Sequence, residues 1–271
     1  MKIKVMQYNI RTGFRKTEKP YDYEENRIDF AKQVIKKENP DVLILNEAYF
    51  ESKNKSGIFM DYQKIFGFSF YVHGNYKRDL SPFWGHALLS KYPIIESLNK
   101  SKGLAGLFRT KIKIRGKTIN LDIVHISPIP YLSNKKQESF VKKILKDKKE
   151  NYILTGDFNS LSSQDNYDEN EMINAWSKFE KNAKEVMGEM LKRDAVIFIL
   201  SKGLIDTYKS KNTKFDFSIP TDFLSKDKSS GIRIDYIFCS KNFKVVDSGI
   251  IKNELTEKAS DHYPIYAILE I

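Results

Sequence analysis

Tyr152-Ile153-Leu154-Thr155-Gly156-Asp157 is a short run of β-forming residues that meets a glycine and then a carboxylate. So brief an apolar run reads as a strand delivering an acid to its end. Just upstream, Lys135 to Lys149 carries Phe140, Val141, Ile144 and Leu145 as one apolar stripe among seven lysines, the period of a helix buried on one face. Before that helix, Ile119 to His125 alternates weakly as a strand. The N-terminus repeats the pattern. Lys2 to Ile10 sets Ile3 and Val5 against Lys2 and Lys4, and Tyr23 to Glu38 places Ile28, Ala31, Val34 and Ile35 at helical spacing before Pro40. Val42-Leu43-Ile44-Leu45 then reads as a buried strand ending at Asn46-Glu47. Two strand–helix–strand units, followed by strand-like segments at Ile232 to Phe238 and Pro264 to Leu269, predict a layered α/β sandwich.

The rest of the chain is read more coarsely. Asn166 to Glu171 is acidic and expected to loop, whereas Met172 to Leu200, with Trp176, Phe179, Ala183, Val186 and Met190 at roughly helical intervals, is expected to form one or two helices outside the sheet. Lys209 to Ser230 is polar with a single Pro220 and is expected to be a long functional loop. With neither repeats nor a composition break, residues 1–271 are expected to form one domain.

Composition narrows the function. The chain has 271 residues, 41% hydrophobic and 30% charged, which excludes a disordered or collagenous protein. A formal charge of +11 favours a polyanionic partner, nucleic acid or an anionic lipid surface, although a lysine-rich proteome would raise the charge of any of its proteins. The single cysteine, Cys239, excludes an internal disulfide and a Cys-x-x-Cys metal site. No stretch approaches the roughly 18 apolar residues that span a bilayer, and residues 1–5 lack a signal peptide's apolar core, so the cytoplasm is the expected location unless an export signal has been removed.

Polar residues collect in five clusters where strands end: Asn9, Glu47, His125, Gly156-Asp157-Phe158-Asn159, and Asp235 paired with Ser260-Asp261-His262. One acid at a strand end is ordinarily a helix cap or a solvated group. Five such coincidences point to phosphodiester hydrolysis, because carboxylates bind a hard divalent cation while a carboxylate or amide holds the attacking water in line. His73, His86, His125 and His262 have no short metal-ligand spacing, and His73 and His86 are expected to be ordinary core or surface histidines. Phosphate-binding glycine loops and the Gly-x-Ser-x-Gly elbow are absent, which disfavours dinucleotide, P-loop and serine-nucleophile chemistry.

Gln7-Tyr8-Asn9-Ile10, Leu45-Asn46-Glu47, Leu88-Leu89-Ser90-Lys91-Tyr92-Pro93-Ile94, Gly156-Asp157-Phe158-Asn159, Arg233-Ile234-Asp235-Tyr236-Ile237-Phe238 and Ser260-Asp261-His262-Tyr263-Pro264-Ile265 resemble, in order, the motifs of the endonuclease/exonuclease/phosphatase superfamily. That superfamily includes deoxyribonuclease I, abasic-site endonucleases, sphingomyelinases, inositol-polyphosphate 5-phosphatases and tyrosyl-DNA phosphodiesterases. The resemblance implies a four-layer α/β sandwich, two mixed β-sheets packed face to face with helices outside. It also implies Mg2+ or Mn2+ held by Glu47 and Asp261, with Asn9 beside the metal, Asp157 activating water, Asn159 fixing that water and a phosphate oxygen, and His262 facing the phosphate with Asp235 orienting it. His125 stands where deoxyribonuclease I-like enzymes have histidine and abasic-site enzymes usually have tyrosine, and would act as an acid or bond a phosphate oxygen. Arg109, ahead of Lys111-Ile112-Lys113, is a candidate for a substrate phosphate.

The chain departs from the resemblance at three points. Ile10-Arg11 follows Asn9 where abasic-site enzymes commonly have an aspartate, Asn46 replaces the usual glutamine, and Phe215-Asp216-Phe217-Ser218-Ile219-Pro220 lacks the tryptophan expected before the Arg-x-Asp element. The expected function is therefore a metal-dependent nuclease acting on nucleic acid, DNA foremost, with no stable protein partner implied. The alternatives are a sphingomyelinase or inositol-polyphosphate phosphatase using the same residues, and a catalytically silent nucleic-acid-binding protein. A lipid enzyme should expose an apolar tip, for which Phe83-Trp84 after Pro82 is the one small candidate. A silent protein would have lost Glu47, Asp157 or His262, and all three are present.

Overall fold

The computed structural model describes residues 1–15, 24–50, 60–76, 83–103, 105–178 and 180–271. Tyr23, Pro82 and Phe179 lie outside them. The first sheet contains β1 (Lys2–Asn9), β2 (Val42–Tyr49), β3 (Phe70–Asn75), β4 (Trp84–Ser90), β11 (Lys244–Ile250) and β12 (Ile265–Glu270), in the order β11-β12-β1-β2-β4-β3. The second contains β5 (Ile94–Asn99), β6 (Ala105–Ile114), β7 (Lys117–Ile126), β8 (Tyr152–Asp157), β9 (Ile205–Asp206) and β10 (Asp235–Cys239), in the order β5-β6-β7-β8-β10-β9. Each is mixed: β1 runs parallel to β2 and β7 parallel to β8, whereas the other neighbours are antiparallel.

Alternation decides which faces meet. Ile3 and Val5 of β1, Val42 and Ile44 of β2 and Leu88 of β4 share a core with Ile119, Leu121 and Ile123 of β7, Ile153 of β8 and Ile237 and Cys239 of β10. Helices cover the outer faces. On the first sheet lie α1 (Arg11–Phe14), α2 (Glu25–Glu38), α3 (Tyr62–Phe66) and α8 (Glu254–Ala259), with Phe14, Ala31, Val34, Ile35, Tyr62 and Ala259 turned inward. The second is covered by α4 (Asn134–Leu145) and α7 (Asp194–Ser201), through Val141, Ile144, Ala195, Val196 and Ile199. The expected four-layer sandwich is the fold.

Three local expectations change. Within the acidic run, Asp168 caps α5 (Glu169–Trp176) by accepting from the Glu171 N–H, so its acids suit the positive end of a helix. The 172–200 stretch contributes three helices, α5, α6 (Ala183–Met190) and α7. Strand β10 starts only at Asp235, because Ile232 instead bridges Ile219 of the loop that precedes it. Residues 209–230 form no helix or strand, as expected of a long loop.

Gly156 is required by close packing. Its φ is +138°, and a Cβ there would lie 1.9 Å from the Val124 carbonyl oxygen on the neighbouring strand. Gly156→Ala should destabilise the chain by on the order of 3 kcal/mol and displace Asp157. Thermal melting with a circular-dichroism readout checks this, and an unchanged melting temperature would contradict it.

Candidate active site

The inward rows that build the core turn polar at one edge. On β1, Ile3 and Val5 are followed by Gln7 and Asn9; on β2, Val42 and Ile44 by Asn46; on β7, Ile119, Leu121 and Ile123 by His125. On β8 the row runs Ile153, Thr155, Asp157, and on β10 it runs backward through Cys239, Ile237 and Asp235. Register then aligns three strands, because Asp157 pairs with His125 on one side and with Asp235 on the other. Paired residues share a face, so two carboxylates and an imidazole stand side by side at the seam between the sheets.

Two facing carboxylates repel unless donors compensate. Asp157 accepts from Asn9 Nδ2 at 3.0 Å and from the Asn159 N–H at 2.9 Å. Asp235 accepts from Gln7 Nε2 at 3.0 Å and lies 2.7 Å from His262 Nδ1. Burial and then the charge of Asp235 push the Asp157 carboxyl well above the usual carboxylate range, against the pull of His262. For His262, burial works against the imidazolium, but the charge and hydrogen bond of Asp235, with Asp261 and Asp157 adding, raise it well above the usual histidine value. Both ring nitrogens Nε2 of His125 and His262 converge on Asp157 Oδ2, at 3.7 and 3.9 Å. His125 Nε2 is also 3.8 Å from Glu47 Oε1.

Glu47 reaches the site by breaking the row. The β2–β4 register shifts between Leu45 and Ala48, a bulge in which Glu47 adopts φ +57°, a left-handed conformation that aims its side chain out of the alternation. Its carboxylate accepts from Asn9 Nδ2 at 3.2 Å and from the Thr12 N–H at 2.9 Å. That N–H is presented by α1, whose four residues, Arg11 to Phe14, all have positive φ, so this turn is wound left-handed. Arg11 Nη1 meets Asp261 Oδ2 at 3.4 Å, and the Ser260 hydroxyl donates to the Asn9 carbonyl. One short turn thereby gathers Glu47 and Asp261, both part-exposed. Buried Arg27 of α2 fixes it from behind by donating to the Arg15 and Ala259 carbonyls.

The structure thus brings together Asn9, Glu47, His125, Asp157, Asn159, Asp235, Asp261 and His262. Asn159 serves through its main-chain N–H, while its side-chain Nδ2 donates to the Ile126 carbonyl at 2.8 Å. Arg109 does not join them. Its guanidinium is taken up by Asp122, Asp147 and the Ile144 carbonyl at 3.2, 2.6 and 2.8 Å, on the helix-covered side of the second sheet, which corrects its assignment to a substrate phosphate. His73 stacks on Phe50, as befits an ordinary histidine, but buried His86 supports the site: its Nδ1 is 2.9 Å from Asn46 Nδ2, and Asn46 in turn accepts from Gln7. Tyr76 was also missed, and its hydroxyl accepts from the Glu47 N–H and lies 3.0 Å from His125 Nδ1. Alternation on β1 and β2 could have marked Gln7 and Asn46; Tyr76 leaves no comparable signal.

The donor set fits a divalent cation. Asp157, Asp235 and His262 offer ligand atoms that all lie within 4.8 Å of one another, and Glu47 and Asp261 add carboxylates at the open side. So many acids at one seam, answered by few cations, form an oxygen-rich site of the kind that holds a hard metal ion.

The chain belongs to the Endonuclease/Exonuclease/phosphatase family, whose sequence profile matches residues 6–262. A search of curated proteins finds no match. Among solved structures, an endonuclease/exonuclease/phosphatase from Bacteroides vulgatus superposes with a TM-score of 0.68 at 17% identity, covering 100% of this chain and 99% of that one. An AP endonuclease from Archaeoglobus fulgidus gives 0.66 at 18% identity over 99% and 100%. D. rerio TDP2 complexed with a single-strand DNA product gives 0.64 at 16% identity over 100% and 99%. At these identities the likeness establishes the fold. Family and cluster together support a metal-dependent phosphoesterase.

The Arg109 network yields a pH-dependent prediction. Burial raises the Asp122 carboxyl to about 6, against the opposing pull of Arg109 and the Tyr152 hydroxyl. A carboxyl that holds its proton more tightly when folded favours the fold below its unfolded pKa, and that contribution is lost as pH rises through 6. The stability of the native chain minus that of Asp122→Asn should therefore fall between pH 4 and pH 7. Melting curves of both proteins across that window check the slope.

Proposed function

We propose that this protein is a Mg2+- or Mn2+-dependent phosphodiesterase that hydrolyses DNA by in-line attack of water on the scissile phosphate. The observation that carries the reading is the convergence of His125 and His262 Nε2 on one buried oxygen of Asp157, with Glu47 beside them. In this reading Asp157, with its raised proton affinity, takes the proton of the attacking water, and Asn9 and the Asn159 N–H hold the carboxylate toward it. His262, kept protonated by Asp235, donates to a non-bridging phosphate oxygen. His125, positioned by Tyr76, donates to a phosphate oxygen or to the leaving oxygen. Gln7 and Asn46 hold Asp235 in place.

Glu47 and Asp261 would hold the cation, which when bound supplies Lewis-acid stabilisation of charge on the phosphate. Asp235 and His262 are read as a proton-holding pair, since the 2.7 Å contact between Asp235 Oδ2 and His262 Nδ1 engages them with each other. The formal charge of +11 supports a polyanionic substrate, and lysine and arginine contacts supply much of non-specific nucleic-acid affinity. The cytoplasmic location expected from the sequence stays part of this proposal.

The test is a hydrolysis panel of supercoiled plasmid, an abasic duplex, a 5′-tyrosyl oligonucleotide, RNA, sphingomyelin micelles and an inositol polyphosphate, each with Mg2+, Mn2+ or EDTA. Metal-dependent cleavage of DNA is expected, with none in EDTA. Turnover confined to lipid or inositol phosphate would overturn the substrate class and leave the site chemistry standing.

Three substitutions separate the roles. Glu47→Gln should weaken Mg2+ binding at least tenfold by calorimetry and lower turnover by on the order of a thousandfold. Asp235→Asn and His262→Ala should retain Mg2+ affinity and lower kcat by on the order of a hundredfold to ten-thousandfold. Equal loss of metal affinity in Asp235→Asn would move the cation to the buried Asp157–Asp235–His262 group.

A further inference from the structure

The loop 209–230 borders a half-open cavity of about 210 Å3 against the C-terminal end of α5, lined by Trp176, Ile219, Pro220, Leu224, Ser225 and Ser230. It shares no residue with the catalytic cluster, but its wall is built into the backbone of that cluster. Ser218, just before Ile219, accepts through its hydroxyl from the Ile234 and Asp235 N–H groups, and its carbonyl accepts from the Tyr263 N–H. Thr221, just after Pro220, donates its N–H to the Asp261 carbonyl at 3.1 Å and its hydroxyl to the Ser260 carbonyl. The two lining residues Ile219 and Pro220 are thus clamped between contacts to both halves of the site, Asp235 on one side and Asp261 with its neighbours on the other.

The cavity is also held open by side chains. Lys228 Nζ donates to the Pro220 carbonyl at 3.1 Å and to the Ser225 carbonyl at 2.9 Å, bracing two lining residues against each other. Trp176 Nε1 donates to the Ser230 carbonyl at 3.3 Å, which ties the indole to the loop. At the rim, Leu224 is 48% exposed. A preformed apolar hollow with an indole in its wall and an exposed leucine at its mouth suits an uncharged, flat group. Its volume falls below the roughly 300 Å3 at which pockets for drug-sized ligands begin, which favours one heterocycle over a long acyl chain.

We infer that this cavity is a subsite for one unstacked nucleobase of the substrate, taken up beside the phosphate under attack. The inference rests on the nuclease reading above, since a base is the uncharged, flat part of a strand whose phosphate that reading places among His125, Asp157 and His262. Base–aromatic stacking is sequence-tolerant, so the pocket would favour a strand able to unstack a base over a rigid duplex, without choosing among bases.

The test uses oligonucleotides with one cleavable linkage in a phosphorothioate background, the flanking bases either present or replaced by hydrogen. The native protein should show a KM about tenfold lower when the bases are present. Trp176→Ala and, at the exposed rim, Leu224→Ser should erase that difference by raising KM only for the base-bearing substrate, with kcat within twofold. Variants that leave both KM values unchanged, or change them equally, would overturn the subsite.

A second readout needs no turnover. In a Trp84→Phe background, deoxyadenosine monophosphate should quench the fluorescence of Trp176. Quenching in a protein that cleaves no nucleic acid would uphold the pocket and refute the nuclease reading. Absence of quenching there, or a response to dodecylphosphocholine in place of the nucleotide, would refute the base subsite.

Discussion

Asn9 on the first sheet donates to Asp157 on the second, and this hydrogen bond across the seam is what the arrangement of the site depends on. Burying Asp157 directly opposite Asp235 is unfavourable in a medium that screens charge poorly. The fold tolerates it because each carboxylate is met by donors from a different layer. Asn9 and Gln7 reach over from β1, the Asn159 N–H comes from the turn that follows β8, and His262 comes from the loop before β12. Two sheets packed face to face are the means by which residues so far apart in sequence become neighbours.

The same polarity explains how the layers divide their labour. Along β1, β2, β7 and β10 the inward row is apolar for most of its length and polar at one end, so one continuous core passes into one polar edge. Stability resides in the apolar length, where alternating Ile, Val and Leu exclude water. Chemistry resides at the edge, where the rows of both sheets end together. The left-handed turn of α1 and the bulge at Glu47 are departures from regular backbone at that edge, and strain of this kind is retained where a side chain must be aimed.

A second buried ionic group supports the neighbouring loop. Arg233, almost fully enclosed, pairs with Asp165 and Asp206 at 2.8 Å each, two residues ahead of Asp235. Charges so deep are stable only as a matched set, and the set ties the entry of β10 to the loop after β8 and to β9. Around it, Ile232 and Ile234 pack with Met172, Val186, Met187 and Met190 of α5 and α6. The long loop 209–230 therefore leans on a firm base even though it has no helix or strand of its own.

What the sequence determined by itself was the set of strands, their inward faces and the polar residues at their ends. Period-two alternation is a local property, legible in Ile3-Lys4-Val5 or Ile119 to His125 without knowledge of any partner strand. Asn9, Glu47, His125, Asp157, Asn159, Asp235, Asp261 and His262 could be named because they stand where such strands end, and motif resemblance added the role expected of each. Tertiary structure alone decided which of these groups touch and in what protonation state, because register, burial and charge pairing are set across the sheets. It drew Arg109 away to Asp122 and Asp147, placed Tyr76 between Glu47 and His125, made His86 a support for Asn46, and turned Glu47 out of its row through a bulge. It also formed the hollow under Trp176, whose walls come from segments more than forty residues apart and so leave no local pattern to read.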